Sequence, residues 1–224
     1  AERLEARPLL ATIVLQGPTQ STDATLSPFE NQGANIGGTP TLDLFRNYQG
    51  TSRHAVLRFD LASVTSVGTA TLGLYQMPTN TIGTGPMTVE LYAVSRSWLE
   101  GTGTDPYGSA GGVSWTEATD SPDNWTQPGG DYNTTFNFGN GANGKIATGT
   151  LSNTTLGTWI NFNVTAAVTA WKNGTIANNG FLLKLTSGTG VQYPVASSEN
   201  SNVSLAPKLT VGPPAPLPSI SIVG

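Results

Sequence analysis

The chain has 224 residues, and 11% of them are charged, against roughly 25% in an average soluble domain. The formal net charge is −4, and the ten Lys and Arg residues form no cluster, whereas a nucleic-acid binder needs clustered cations to neutralise phosphates. We therefore exclude nucleic acid as a partner. No apolar run reaches the ~18 residues of a transmembrane helix. Cysteine is absent, which excludes disulfide scaffolds, zinc fingers and cysteine nucleophiles.

Residues 1–17 are interpreted as an N-terminal arm. After a short charged stretch, residues 9–15 form an almost continuous apolar run that is β-branched in its middle, which predicts a strand over residues 8–16. A flat, uncharged, β-prone segment is normally hidden or interrupted by charge in a monomer. We therefore expect this strand to pair with another subunit, with an interface made by Leu9, Leu10, Ile13, Val14 and Leu15.

Residues 18–211 are interpreted as one β domain. Short alternating segments recur between clusters of Gly, Pro, Asn and Asp; in residues 54–61 every second side chain is apolar. One segment breaks this period, because Val164, Ala167, Val168 and Trp171 have helical spacing. A helix is predicted at about residues 164–172, with Asn163 as its cap and the pair 173–174 at its end.

The pattern as a whole predicts an all-β fold, a jelly-roll β-sandwich with one short helix and extended terminal arms. The alternation also predicts which side chains form the core. They are Leu57, Phe59, Leu72, Leu74, Leu91, Phe162, Leu183 and Leu185.

The segment 99–150 shows little regular pattern and is rich in Gly, Asn, Asp and Pro. A loop of that length is uncommon in a compact domain unless it has a function. Trp115, Trp125 and Tyr132 lie within it, and flat aromatic rings suit a platform for stacking sugars, although packing of the loop itself is the alternative.

Residues 212–224 form a C-terminal arm. Its prolines predict a stiff polyproline II spacer, followed by a short strand-like end. We expect Ile220, Ile222 and Val223 to contact another subunit.

No catalytic apparatus is apparent. The sequence has a single histidine, His54, next to a predicted strand, and no Gly-x-Ser-x-Gly motif accompanies it. A position on the surface or at a strand end is expected for it. The 14 acidic residues are scattered without a recognisable motif. We expect a protein that is not an enzyme and has no cofactor. A structural calcium ion held by loop oxygens stays open, with no ligand set assigned.

Several segments, in order, resemble the DNRLRE domain, a family of extracellular bacterial and archaeal modules. They include HAVLRFDL at 54–61, GTATLGLYQ at 68–76, VELYAVSRSWLEGTG at 89–103 and INFNVTAAVTAWKNG at 160–174. The resemblance spans about residues 20–211 and implies a jelly-roll module similar to carbohydrate-binding modules, without common catalytic residues. The segment RLEARPLLA at 3–11 is similar to the LEPR-XLL motif of exported bacterial proteins, with Ala6 in place of the usual proline.

Two functions follow as hypotheses, both at an extracellular or cell-surface location. The first is a non-catalytic structural subunit that self-assembles into a surface filament or sheath, a homopolymer held by its strand-like arms. The alternative is a polysaccharide-binding or adhesive module of a cell-surface protein. Contacts of the arms with their own body or with another copy would separate the two.

Overall fold

A computed structural model describes residues 11–108, 111–120, 122–140 and 144–215. These ranges form eleven strands, one α-helix and one turn of 3₁₀ helix at Val203–Leu205. The strands are β1 (Ile13–Gln16), β2 (Ser21–Leu26), β3 (Thr41–Arg46), β4 (His54–Phe59), β5 (Thr69–Tyr75), β6 (Met87–Ala93), β7 (Lys145–Leu151), β8 (Trp159–Asn163), β9 (Phe181–Leu185), β10 (Val191–Ala196) and β11 (Lys208–Gly212), with α1 (Thr165–Lys172) between β8 and β9.

The strands pair in antiparallel fashion in three sheets. One sheet has the order β1-β11-β5-β8, a second has β2-β4-β9-β6-β7, and β10 pairs with β3. All three sheets contribute side chains to one main core, so the predicted all-β sandwich is confirmed, and 6% of the residues are helical. The eight predicted core residues are all buried, because alternation directs every second side chain of each strand to the inside.

The helix prediction is also confirmed. The Asn163 side chain accepts a hydrogen bond from the backbone N–H of Thr165, which lies in the first turn, although Val164 occupies the capping position itself. Gly174 follows the helix with a φ of +69°, and the backbone N–H groups of residues 174 and 175 bond back to Trp171 and Ala170. This is the hydrogen-bond pattern of a Schellman motif, which favours glycine at that position.

The long segment after β6 folds over the outer face of the five-stranded sheet. The main chain from Trp98 to Trp125 supplies four buried side chains to a second core, which we call the outer core, and Leu182 and Val56 face it from the sheet. Its buried members are Ala24, Leu26, Val56, Val94, Trp98, Val113, Ala118, Trp125 and Leu182. Strands β4 and β9 are therefore buried on both faces.

The predicted loop 99–150 contains a strand that the sequence pattern did not predict, β7, which pairs with β6. Its sequence alternates small and hydroxyl residues, so the apolar period is weak. The reason is local packing: a β-carbon at Gly149 would overlap the ring of Phe162 from the opposite sheet. Gly149 therefore leaves space for the Phe162 ring, and the absence of an apolar side chain at this position weakens the alternation that would predict a strand.

The described part of the N-terminal arm pairs within its own chain. Strand β1 lies antiparallel to β11, with Ile13 opposite Val211, and Leu15 is buried in the main core. One edge of this segment is thus already occupied within its own sheet, and pairing with another subunit stays a prediction for the opposite edge. Val14 is 51% exposed, and the other edge of β1 has no strand beside it among the described residues.

No helix in the described ranges has the length and apolar character needed to cross a membrane.

Trp125→Ala is expected to lower the free energy of unfolding by about 3–5 kcal/mol, the usual cost of removing a buried Trp side chain. Trp125 is 4% exposed, and its indole N–H donates to the Ser114 carbonyl at 2.9 Å. Urea denaturation would measure the change. Tyr107→Ala is a matched control because Tyr107 lies in the same layer but is 73% exposed, and it should stay within about 0.5 kcal/mol of the parent. Equal effects would contradict an outer core.

Candidate functional site

Three carboxylates from distant parts of the chain meet beside the edge strand β2. Asp23 lies on β2, Glu100 at the start of the outer layer, and Glu199 in the turn after β10. One carboxylate oxygen of each residue lies within 4.8 Å of the other two. We call this group the acidic cluster.

The local structure holds each carboxylate in place. Asp23 is opposite Leu57 in the β2–β4 ladder and so points to the side of the main core. Its backbone N–H, on the edge of the strand that faces away from β4, donates to Glu100 Oε1 at 2.5 Å. The backbone N–H of Ser198 donates to Asp23 Oδ2 at 2.8 Å, and the Ser198 hydroxyl donates to Glu199 at 2.9 Å.

The backbone beside Glu100 is fixed by a buried amide. The Asn35 side chain donates to the carbonyls of Glu100 and Val113 and accepts from the N–H of Gly103. Asn35 is buried, so these three bonds have no competition from water. They hold two separate parts of the outer layer at fixed positions relative to β2.

The electrostatics of the acidic cluster are unfavourable for three ionised groups. Asp23 is 0% exposed, and its Oδ1 is a buried atom without a hydrogen-bond partner in the described structure. Burial, and then the charges of Glu199 and Glu100, raise the pKa of Asp23 well above its usual range. Burial also raises the pKa of Glu100 to about 7 and raises that of Glu199. Such a group either keeps protons or holds a cation.

A second candidate site is a polar cleft of about 320 Å³ on the outer side of β2 and β4, which we call the Arg58 cleft. It is lined by residues 18–22, 58–60 and Asn178. The Arg58 guanidinium lies over the Trp98 ring, 5.2 Å from its centre, and Arg58 takes part in none of the four ion pairs of the described residues. In the walls, Thr22 Oγ1 and Asn178 Oδ1 are buried without hydrogen-bond partners there.

The predicted aromatic platform does not form as one exposed face. Trp125 is buried in the outer core, and Trp115 packs against His54 with a ring-centre distance of 5.0 Å. Tyr132 packs on Tyr92 and lines a surface cleft that neither of the two tryptophans lines. The expectation of a joint sugar platform is therefore wrong, because the outer layer uses these rings for its own packing.

His54 begins β4 as expected, but it is buried rather than on the surface. Its Nδ1 lies 2.7 Å from the carbonyl oxygen of Gly129, which can only accept, so Nδ1 carries the hydrogen. Burial lowers the pKa of His54 to about 4, and the ring is neutral at pH 7.

Of the predicted interface residues, Ile13, Val14 and Leu15 lie in β1 as described above. The remaining ones, Leu9, Leu10, Ile220, Ile222 and Val223, lie outside the described residues. Sequence reasoning missed the acidic cluster and Arg58, since the residues involved are separated by tens of positions and share no motif. The one available signal is a charged residue inside a strand of small residues, as at Asp23.

The family model described as Disaggregatase related repeat domain matches residues 39–211, more than three quarters of the chain. The chain belongs to this family. Among curated proteins, none matches the sequence. The resemblance to the DNRLRE domain is thereby corrected: the segments that carried it are alternating strands, turns and a capped helix, which β-sandwich families share and which do not separate one from another.

The single histidine allows a direct test of the buried position of His54. Its imidazole signal in proton NMR is expected to titrate with a midpoint near pH 4, because burial disfavours the charged ring. A midpoint near 6.5, the value of an exposed histidine, would contradict the burial.

The same shift affects stability, with a defined sign. The unfolded chain binds a proton at His54 with a pKa near 6.5 and the folded chain only near 4, so stability is full above 6.5 and falls as the pH decreases through this window. The difference in free energy of unfolding between the parent and His54→Gln should change by about 1.4 kcal/mol per pH unit there. Denaturant titrations of both proteins measure it, and a constant difference would oppose this account.

Proposed function

We propose that this member of the disaggregatase-related repeat family is a non-catalytic, extracellular module that binds polysaccharide in the Arg58 cleft. The observation that carries the proposal is Arg58 itself. Its guanidinium lies over the Trp98 ring at the cleft, 5.2 Å from the ring centre, and takes part in none of the ion pairs of the described residues. Five N–H donors in a rigid plane suit the hydroxyl and carboxylate oxygens of sugars.

The remaining lining supports the same ligand class. Gln20, Thr19 and Asp60 offer neutral or acidic hydrogen-bonding groups at the cleft, and Arg58 is the one cation among the described residues that line it. Thr22 Oγ1 and Asn178 Oδ1 lie without partners in its walls, and a polar ligand or a bridging water at the floor would supply them. A volume of about 320 Å³ is at the low end of the ~300–1,000 Å³ range of ligand sites.

The elements around the cleft give it rigidity. Arg58 lies on β4, which is paired on both sides by β2 and β9. Trp98, on which it rests, is buried, and its indole N–H donates to the Asn179 carbonyl at 2.8 Å, next to the cleft wall. A binding group that is ordered before the ligand arrives loses less entropy on binding.

Arg58→Gln is expected to weaken polysaccharide binding at least tenfold, because a charge-assisted hydrogen bond contributes about 1.5–3 kcal/mol. Affinity electrophoresis on a panel of neutral and acidic polysaccharides measures the retardation.

Arg96→Gln is the matched control. Arg96 also lies over an outer-core tryptophan, Trp125, at 6.0 Å, but it is paired with Asp123 and does not line the cleft. Its variant should be retarded like the parent. If no polysaccharide in the panel retards the parent, or if both variants behave alike, the proposal is wrong.

The non-catalytic part of the proposal is supported by His54, which is buried away from solvent and whose pKa, lowered to about 4, makes it a weak general base. The family description refers to disaggregatases, and we assign to this repeat the binding of a polysaccharide rather than its cleavage. Release of reducing ends from any polysaccharide that the protein binds would refute this assignment.

Self-assembly into a filament or sheath is a second candidate, favoured by one observation. Strand β1 is the edge of its sheet, and its exposed Val14 lies on a short strand without a charged side chain. Such an edge can pair with another copy.

Val14→Lys should prevent assembly of the full chain without unfolding it, since an edge lysine opposes strand pairing. Sedimentation velocity over a range of concentrations would record the change. Ile82→Lys is the control, because Ile82 is similarly exposed (50%) but lies outside β1. A parent that stays monomeric at the highest concentration would remove this candidate.

A further inference from the structure

We propose that the acidic cluster of Asp23, Glu100 and Glu199 is a cation site for calcium, and that the bound ion joins the edge strand β2 to the outer layer. The inference does not depend on polysaccharide binding. It starts from geometry, since one oxygen from each carboxylate lies within 4.8 Å of the others although the three residues come from three separate segments.

The buried carboxylate supplies an independent observation. Asp23 is 0% exposed; its Oδ2 accepts from the Ser198 N–H, whereas its Oδ1 has no partner among the described residues. A buried carboxylate oxygen without a partner is strongly unfavourable if it is ionised. A cation among the three carboxylates would satisfy that oxygen directly.

Among the described residues, no side-chain cation forms an ion pair with the cluster. The ion pairs of the described residues involve Glu30, Asp43, Asp123 and Glu90, and none of the three cluster residues. Arg58 acts on Glu100 through its charge, without an ion pair between them. The cluster therefore has no cation in direct contact with it among the described residues, and a divalent ion would supply one.

The donor set identifies the class of ion. All three side chains offer hard oxygen atoms, and the sequence has no cysteine, while its one histidine bonds to Gly129 elsewhere. Such donors favour calcium or magnesium over zinc. Calcium accepts six to eight oxygens in a flexible arrangement, and the half-buried positions of Glu100 and Glu199 leave room for water ligands. Magnesium usually keeps several waters and is bound by one or two carboxylates, so three converging carboxylates favour calcium.

The position of the site suggests its role. Glu100 follows Trp98, the first tryptophan of the outer core, by two residues, and Glu199 follows β10 by three. An ion bound by all three residues would cross-link β2, the start of the outer layer and the turn after β10. We expect the free energy of calcium binding to appear as stability of the folded chain.

The test is thermal unfolding of the full chain after removal of divalent ions with EDTA, followed by titration with CaCl₂ or MgCl₂. The expected result is a Tm that rises with each increase in calcium, by about 5–10 °C once calcium is 100-fold above its Kd, with one ion bound per chain by calorimetry. Magnesium at the same concentrations should have a much smaller effect.

Asp23→Asn and Glu199→Gln should each abolish the calcium response. In EDTA, Asp23→Asn should unfold at or above the Tm of the parent, because the amide removes a buried charge and its oxygen can still accept from Ser198. Glu199→Gln, at a half-buried position, provides a second variant if Asp23→Asn does not fold. Glu117→Gln changes a half-buried carboxylate of the same layer outside the cluster and should respond to calcium like the parent.

The alternative is that the carboxylates share protons instead of a metal ion. In that case calcium leaves the Tm of the parent unchanged, while both variants still change stability in EDTA. An unchanged parent Tm in calcium would overturn the proposal. So would a full calcium response in Asp23→Asn, or a magnesium response equal to that of calcium.

Discussion

Burial of strands β4 and β9 on both faces is the constraint on which the rest of the structure depends. Leu57 and Leu183 face the main core, while their neighbours Val56 and Leu182 face the outer core. A strand that is apolar on both faces must be covered on both. The opposite sheet covers one face, and the other requires the long segment after β6, which explains why that segment is packed although it has little regular secondary structure.

This covering layer has few backbone ladders to hold it, so its attachment depends on side chains. Trp98 and Trp125 bury their indole rings and each donates a hydrogen bond, and Asn35 bonds to the backbone of two separate parts of the layer. The acidic cluster lies at the point where the layer leaves the sheet edge. Like charges at an attachment point would oppose the attachment, and a bound cation would convert the same residues into a cross-link. The Arg58 cleft lies on the same face, with Trp98 as a shared element.

The sequence predicted the parts of the fold that depend on local periodicity. The core positions from Leu57 to Leu185 follow from alternation, and the helix follows from its spacing and from Gly174, which takes up the left-handed conformation. Strand β7 was not predicted, because the small residue at Gly149 that weakens its apolar pattern is required by the packing of Phe162 from another strand. The pairing of β1 with β11 was not predicted, because periodicity indicates that a segment is a strand but does not indicate which sheet edge it joins.

The candidate sites could not be predicted for a related reason. The fold brings together Asp23, Glu100 and Glu199, and their spacing in the sequence does not indicate that they are close in space. The three aromatic residues had the composition of a sugar platform, but composition does not distinguish a ring that faces solvent from one that faces a sheet. Trp125 is buried because it covers the apolar outer face of β4 and β9, and this packing is a property of the tertiary structure.

The central claim, that a metal ion holds the outer layer at β2, is tested most directly by a crystal structure of the full chain grown with calcium. Data collected at a long wavelength would locate the ion by its anomalous signal. We predict a single peak about 2.3–2.6 Å from carboxylate oxygens of Asp23, Glu100 and Glu199, with Asp23 Oδ1 among the ligands. Carboxylates in direct hydrogen-bonding contact with one another, and no anomalous peak between them, would contradict the claim.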